Sequence, residues 1–374
     1  MVKITTSNIW VLFRFMKVIK HKKRQEFLAD IVESIIKCRS VHFSEIAHSI
    51  ESVAKQESVI RKIERFFLNS VFDYVQLAKF LVSHVHHNKV TLAIDRTEWD
   101  FGKTQVNILC VTICVGKMSV PVYFEMLDNK SGNSNWENRV AIFEKIIETI
   151  EIERIKLLVM DREFIGNKWL KWLKSKEINF CVRVPKSHLI TFSDGYVATA
   201  ETLYKRNPNT LIKRACVDSV SVNISISLDA SGELLFLIGN IPPGELKGEY
   251  RKRWTIETFF QALKERGFNL EDSHLQSLEK YRKLFAVLCI AYTICWSVGI
   301  ESGRTNPVKP KKHGYPQYSV FRRGLNLMRD FYKFKVSTPI EIALGEAIKR
   351  ICCDLNIEKI LILLKIIPKG FNVR

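Results

Sequence analysis

The sequence predicts an α/β protein: a core of alternating strands and helices, interrupted by a β-rich segment and flanked by helical regions. Three observations predict it. Residues 8–88 contain no Gly or Pro to break a helix. From Val90 the apolar residues instead form short runs separated by turn residues, as buried strands do. Residues 220–228 (VSVNISISL) alternate apolar with polar, the period of a half-buried strand.

Taken in order, residues 1–88 form the N-terminal helical region. Ile46, Ala47 and Ile50, then Val59 to Phe67, read as two amphipathic helices around a turn. The second brings Arg61, Lys62 and Arg65 onto neighbouring faces, which suits a helical DNA-binding unit and equally any basic three-helix bundle. Residues 89–187 form the first part of the core. Val90 to Ile94 is a short strand ending in Asp95, and Val106–Val115 and Ser119–Phe124 are two more around the turn Gly116-Lys117. A helix starts near Asn135, followed by a strand Lys156–Met160 that ends in Asp161, a helix over Asn167–Lys176 and a strand Phe180–Val184 stopped by Pro185. Residues 188–244 are the β-rich insertion, closed by Pro242, Pro243 and Gly244. Residues 245–300 complete the core, and 301–374 are a basic helical C-terminal region.

Charge and composition narrow the partners. Of the net +19, residues 1–89 and 301–374 hold nearly all, while the middle is almost neutral. Two basic flanks suit a long polyanion gripped outside a chemical site. Nine cysteines without C-x-x-C spacing suggest neither a disulfide framework nor a zinc site and fit a reducing compartment. His84, His86 and His87 lack further ligands at metal spacing and read as a wet helix end. Ile9–Phe13 is too short for a secretory signal. Leu284–Ile300 is uncharged over 17 residues, near the lower limit for a bilayer span, and reads as a core helix; no membrane partner is expected.

The most informative segment is YRKRWTIETFFQALK. On one helix, Tyr250, Arg253, Glu257 and Lys264 fall within a sector of roughly 60° at about 100° per residue, opposite an apolar stripe of Ile256, Phe259 and Leu263. Alone, Arg253 and Glu257 are an ordinary i,i+4 pair, and an Asp at a strand end is an ordinary turn former. Together they mean more. If the strands ending in Asp95 and Asp161 are neighbours, both aspartates leave the same sheet edge, and Glu257 can close the cluster. Three converging carboxylates repel one another without cations. They suit Mg²⁺ or Mn²⁺, and two such ions roughly 3.5–4 Å apart serve phosphodiester chemistry.

These residues carry a resemblance. Asp161–Phe164 (DREF) resembles the second-aspartate motif of DDE insertion-sequence transposases. Tyr250, Arg253, Glu257 and Lys264 match the Y-(2)-R-(3)-E-(6)-K signature of the insertion-sequence-4 family, and Lys311–Arg329 (KKHGYPQYSVFRRGLNLMR) is similar to that family's C-terminal region. The resemblance implies a ribonuclease-H-like mixed-sheet core interrupted by the β insertion. It implies cut-and-paste transposition, with Asp95, Asp161 and Glu257 as catalytic metal ligands for Mg²⁺ or Mn²⁺. It assigns Arg253 and Lys264 to transposon-end phosphates and Tyr250 to the strand near the cleavage point; Arg162, beside a ligand, is a further DNA contact. The partners implied are double-stranded DNA, as terminal inverted repeats and target, and a second copy in an active homodimer, in the cytoplasm of a bacterium at the nucleoid. The alternatives are a catalytically silent descendant that binds DNA and a structure-specific nuclease.

Overall fold

The computed structural model describes residues 16–101, 104–127, 132–275, 277–312, 314 and 316–334. Ile9–Phe13, Cys352, Cys353 and the expected helices beyond Phe334 lie outside these. The chain divides into two compact units. A helical unit takes residues 1–86, 100–104 and 260–374, and a sheet unit takes 87–99 and 105–259.

The Gly- and Pro-free N-terminal stretch folds as α1 (Lys22–Cys38), α2 (Phe43–Ser49), α3 (Gln56–Asn69) and α4 (Tyr74–Val82). Asp73 starts α4 by accepting the Val75 and Gln76 amides at 3.1 and 3.0 Å, a side-chain cap for donors the helix cannot satisfy itself. The apolar side of α3 buries Val59, Ile63, Phe66 and Phe67, which leaves Arg61, Lys62 and Arg65 exposed. His84 departs from the expected wet helix end: it is buried, with Nδ1 2.8 Å from the Phe80 carbonyl oxygen.

The sheet unit opens with β1 (Val90–Phe101), β2 (Thr104–Val115) and β3 (Met118–Met126). Gly116, at φ 58°, makes the β2–β3 turn in a conformation that costs glycine little. Next come α5 (Trp136–Ile147), β4 (Ile155–Met160), α6 (Asn167–Ser175) and β5 (Phe180–Arg183). The start of α5 is a reciprocal cap. The Asn138 amide donates to Asn135 Oδ1 at 2.7 Å, and the Asn135 amide donates to Asn138 Oδ1 at 3.3 Å. Five further strands and two helices follow: β6 (Leu189–Thr191), β7 (Val197–Thr199), α7 (Ala200–Arg206), β8 (Thr210–Val217), β9 (Val220–Leu228), β10 (Leu234–Gly239) and α8 (Pro243–Tyr250).

All ten strands join one sheet in the order β3-β2-β1-β4-β5-β10-β9-β8-β6-β7. β2 and β3 are antiparallel, whereas β4 runs parallel to both β1 and β5. This is the ribonuclease-H-like mixed sheet. The segment 188–244 does not build a sheet of its own. β10 returns antiparallel to β5, Gly239 facing Cys181, so the insertion extends the core sheet. Gly239 also lets α8 lie close: a Cβ there would stand 2.3 Å from the Phe180 carbonyl oxygen and 2.7 Å from Leu246.

Beyond α8 the chain was expected to be one helix. It passes instead through a 3₁₀ turn at Arg251–Arg253 into α9 (Trp254–Leu263). Tyr250 therefore ends one helix, and Arg253 sits in the tightened turn. Ile256, Phe259 and Leu263 are buried as the apolar stripe requires. Tyr250 and Arg253 were placed on an exposed face, yet they are only 9% and 8% exposed; the contacts described below enclose them.

The helical unit closes with α10 (Leu278–Thr305) and α11 (Val320–Phe334). Among the described residues α10 is the one helix long and apolar enough to cross a membrane, and 94% of its apolar window is buried within the protein. It packs against α1, α3, α4 and α11. Its approach to α11 is set by glycines. A Cβ on Gly324 would lie 1.7 Å from the Cys295 carbonyl oxygen, and one on Gly299 would lie 2.0 Å from that of Val320. Backbone cannot yield as a flexible side chain can. Gly324→Ala is therefore expected to destabilise the helical unit by about 3 kcal/mol, the upper range for overpacking, read as a lowered melting temperature by circular dichroism.

Candidate active site

The parallel pairing of β1 with β4 ends at Ile94 opposite Met160. The next residues on the two strands are Asp95 and Asp161, so both carboxylates stand where the ladder stops. Asp95 was expected to end its strand. β1 in fact continues to Phe101, because it remains paired in the sheet beside β2 after β4 has ended. Asp161 caps the 3₁₀ turn Arg162–Phe164, accepting the Arg162 amide at 2.8 Å.

The turn between α8 and α9 brings the third carboxylate in. Arg253 donates from Nη1 to Asp95 Oδ2 at 2.8 Å and from Nη2 to Glu257 Oε1 at 2.7 Å. Tyr250 donates from Oη to Asp161 Oδ1 at 3.1 Å. One guanidinium thus bridges two carboxylates, and one phenol covers the third. Burial raises the Asp95 carboxyl to about 6, against the pull of Arg253 and the Arg96 amide, and Asp161 and Glu163 push it the same way. Burial draws the Arg253 guanidinium down, but Tyr250, Asp95, Asp161 and Glu257 outweigh it and leave the group more firmly protonated than usual. Burial also raises the Tyr250 phenol, so it is a neutral donor.

A supporting layer escaped the sequence reading. Arg96, next to Asp95, donates to Glu163 Oε2 at 3.2 Å and Asn107 Oδ1 at 3.1 Å, and pairs with Glu98. Buried Arg139 donates to the Ser134 and Glu163 carbonyl oxygens at 2.6 and 2.7 Å and stacks on Phe164, 5.0 Å from its ring centre. These contacts pin the Arg162–Phe164 turn, and so Asp161, to β1 and α5. The signal was an Arg directly after Asp95 and a Glu two residues after Asp161, which nothing in local periodicity joins.

Two expected residues remain. Arg162 is exposed. Lys264, which follows α9, is ion-paired with Glu271 at 2.6 Å within the helical unit.

As they stand, no three or more His, Cys, Asp or Glu among the described residues form a ready metal cage. Arg253 lies between two of the carboxylates, and Tyr250 lies against the third. The donor chemistry nevertheless fits a hard divalent ion, since Asp95, Asp161 and Glu257 offer only carboxylate oxygens. Moreover, Glu163 Oε1 is buried with no hydrogen-bond partner from the protein, and a buried acceptor of this kind takes a donor or a cation.

Comparison with known proteins shows the family of the chain. Residues 86–294, more than half of the chain, match the family model described as "Transposase DDE domain". No curated protein matches. Among solved structures the chain is similar to one described as "Cryo-EM structure of piggyBac transposase synaptic complex with hairpin DNA". The TM-score is 0.46 at 10% identity, covering 92% of this chain and 76% of that one.

Proposed function

Because this chain belongs to the transposase DDE domain family, we propose that it is a DNA transposase that moves an insertion sequence by cut-and-paste, with Asp95, Asp161 and Glu257 as its catalytic carboxylates. The observation that supports this most is the hydrogen-bonded cluster in which Tyr250 and Arg253 gather all three from β1, the end of β4 and α9.

The same three residues would hold Mg²⁺ or Mn²⁺, as a pair of ions, which when bound supply activation of an attacking oxygen and stabilisation of a leaving one. The protein's own part is to position the DNA. Arg253 offers a planar fork for a phosphate, Lys264 a point charge and exposed Arg162 a further phosphate contact. Tyr250, a neutral phenol, donates or stacks near the cleavage point. Water attacks the phosphodiester at the transposon end and releases a 3′-hydroxyl, leaving the phosphate on the flanking strand; that hydroxyl then attacks a target phosphodiester, joins its phosphorus and displaces the target strand's 3′-oxygen. The enzyme acts as a homodimer on terminal inverted repeats at the bacterial nucleoid, in the cytoplasm, with the basic face of α3 and the basic residues of 301–374 gripping the flanking duplex.

The test is an excision and joining assay on a plasmid carrying the inverted repeats that flank the coding region. Metal-dependent nicking at the ends followed by joined product is expected. Nicking without joining would mean a structure-specific nuclease, and end binding without cleavage a silent descendant. Arg162→Ala is expected to lower the slope of log affinity against log salt by about one, measured by fluorescence anisotropy on end DNA; an unchanged slope removes Arg162 from the phosphate contacts.

A further inference from the structure

Two of the side chains that the signature gives to DNA, Tyr250 and Arg253, are engaged with the proposed catalytic carboxylates. Arg253 directs both terminal nitrogens inward, to Asp95 at 2.8 Å and Glu257 at 2.7 Å. It is 8% exposed, so it presents little of its fork to solvent. Tyr250 gives its hydroxyl to Asp161. With both terminal nitrogens already committed to carboxylates, the end-on fork of this guanidinium is not open to a phosphate while these contacts last.

Resting on the transposase reading, we propose that Arg253 and Tyr250 are stand-in partners for the three carboxylates, and that they exchange onto DNA phosphate when metal binds. The exchange couples metal loading to DNA binding. Charge drives it. Three carboxylates with one guanidinium carry a formal −2, a field that holds Arg253 in and turns phosphate away. Two divalent ions convert this to +2, which releases Arg253 and attracts phosphate. Before loading, Arg253 spares the buried carboxylates their mutual repulsion; after loading, it is a free fork beside the reacting atoms. Linkage makes the coupling reciprocal: DNA tightens metal binding by the same factor by which metal tightens DNA binding.

The experiment titrates the full chain with Mn²⁺, reading free ion by electron paramagnetic resonance, with and without a short blunt duplex and against duplex alone. In the wild type, the duplex is expected to tighten Mn²⁺ binding about tenfold. Arg253→Gln keeps a donor but removes the competing charge. Without DNA it is expected to bind Mn²⁺ about tenfold more tightly than the wild type, and to lose most of the effect of the duplex. Equal or weaker binding by Arg253→Gln overturns the exchange while leaving the transposase reading intact. A wild type that binds no Mn²⁺ overturns both. If Arg253→Gln does not fold, Tyr250→Phe and the wild-type coupling decide. Tyr250→Phe should bind Mn²⁺ more tightly, and absence of both that gain and the coupling overturns the proposal.

Discussion

Asp95→Asn, Asp161→Asn and Glu257→Gln are each expected to lower nicking of inverted-repeat DNA by about a thousandfold or more, with end binding retained. On the proposed assignment each substitution would remove one anionic ligand but keep the side-chain shape, and the charge stabilisation that a bound divalent ion would supply is worth several kcal/mol. The three should not multiply, since residues acting as a unit give non-additive losses. Gel-resolved nicking at saturating Mg²⁺, with anisotropy as the binding control, checks this. Normal cleavage by all three variants would remove the assignment. Asp95 carries a second signature in the metal-free protein. Its carboxyl titrates near 6 when folded, against 3.8 as its ordinary value. Between those values the folded protein holds more protons than the unfolded chain, so stability falls as pH rises from about 4 to about 6, by about 3 kcal/mol in all. Asp95→Asn should flatten that slope in urea melts and leave the metal-free protein at pH 7 no less stable than the wild type.

Arg253→Ala is expected to destabilise the metal-free protein by about 3 kcal/mol, because it strands Asp95 and Glu257, 17% and 29% exposed, without their shared cation. The partial exposure of Glu257 keeps the loss near the lower end of the range for broken buried pairs. Divalent metal should recover much of this loss and should raise the melting temperature of the variant more than that of the wild type. A calorimetric scan with and without Mg²⁺ measures both effects. A variant as stable as the wild type in chelator would show that Arg253 does not neutralise the cluster.

Much of this could be read along the chain wherever one residue decides a local outcome. Asn135 announced its helix through a cap, Gly116 its turn through a positive φ, and Ile256, Phe259 and Leu263 their buried stripe through spacing. Asp95 and Asp161 were legible as strand-associated carboxylates, and the neighbouring strands that bring them together are present. What escaped depends on partners distant in sequence. β1 outlasts its apolar run because its other neighbour in the sheet supports it, and β10 pairs with β5 across more than fifty intervening residues. The break at Arg251–Arg253 lies in a segment whose composition suits continuous helix. The contacts of Tyr250 and Arg253 with Asp161 and Asp95 come from tertiary structure. Arg96, Arg139 and Glu163 form a network only once three separate segments meet.

The divided helical unit sets a timetable for biosynthesis. Its first helices lie before residue 87 and α10 lies after residue 259. At about 5–20 residues per second, a ribosome needs roughly 10–35 s to make the stretch between them. Through that interval α1 and α3 wait for the helix against which they pack. A nascent chain stalled within the sheet would leave them uncovered, open to chaperones and proteases. Completion of α10 is thus the earliest moment at which the molecule can become a stable, working particle.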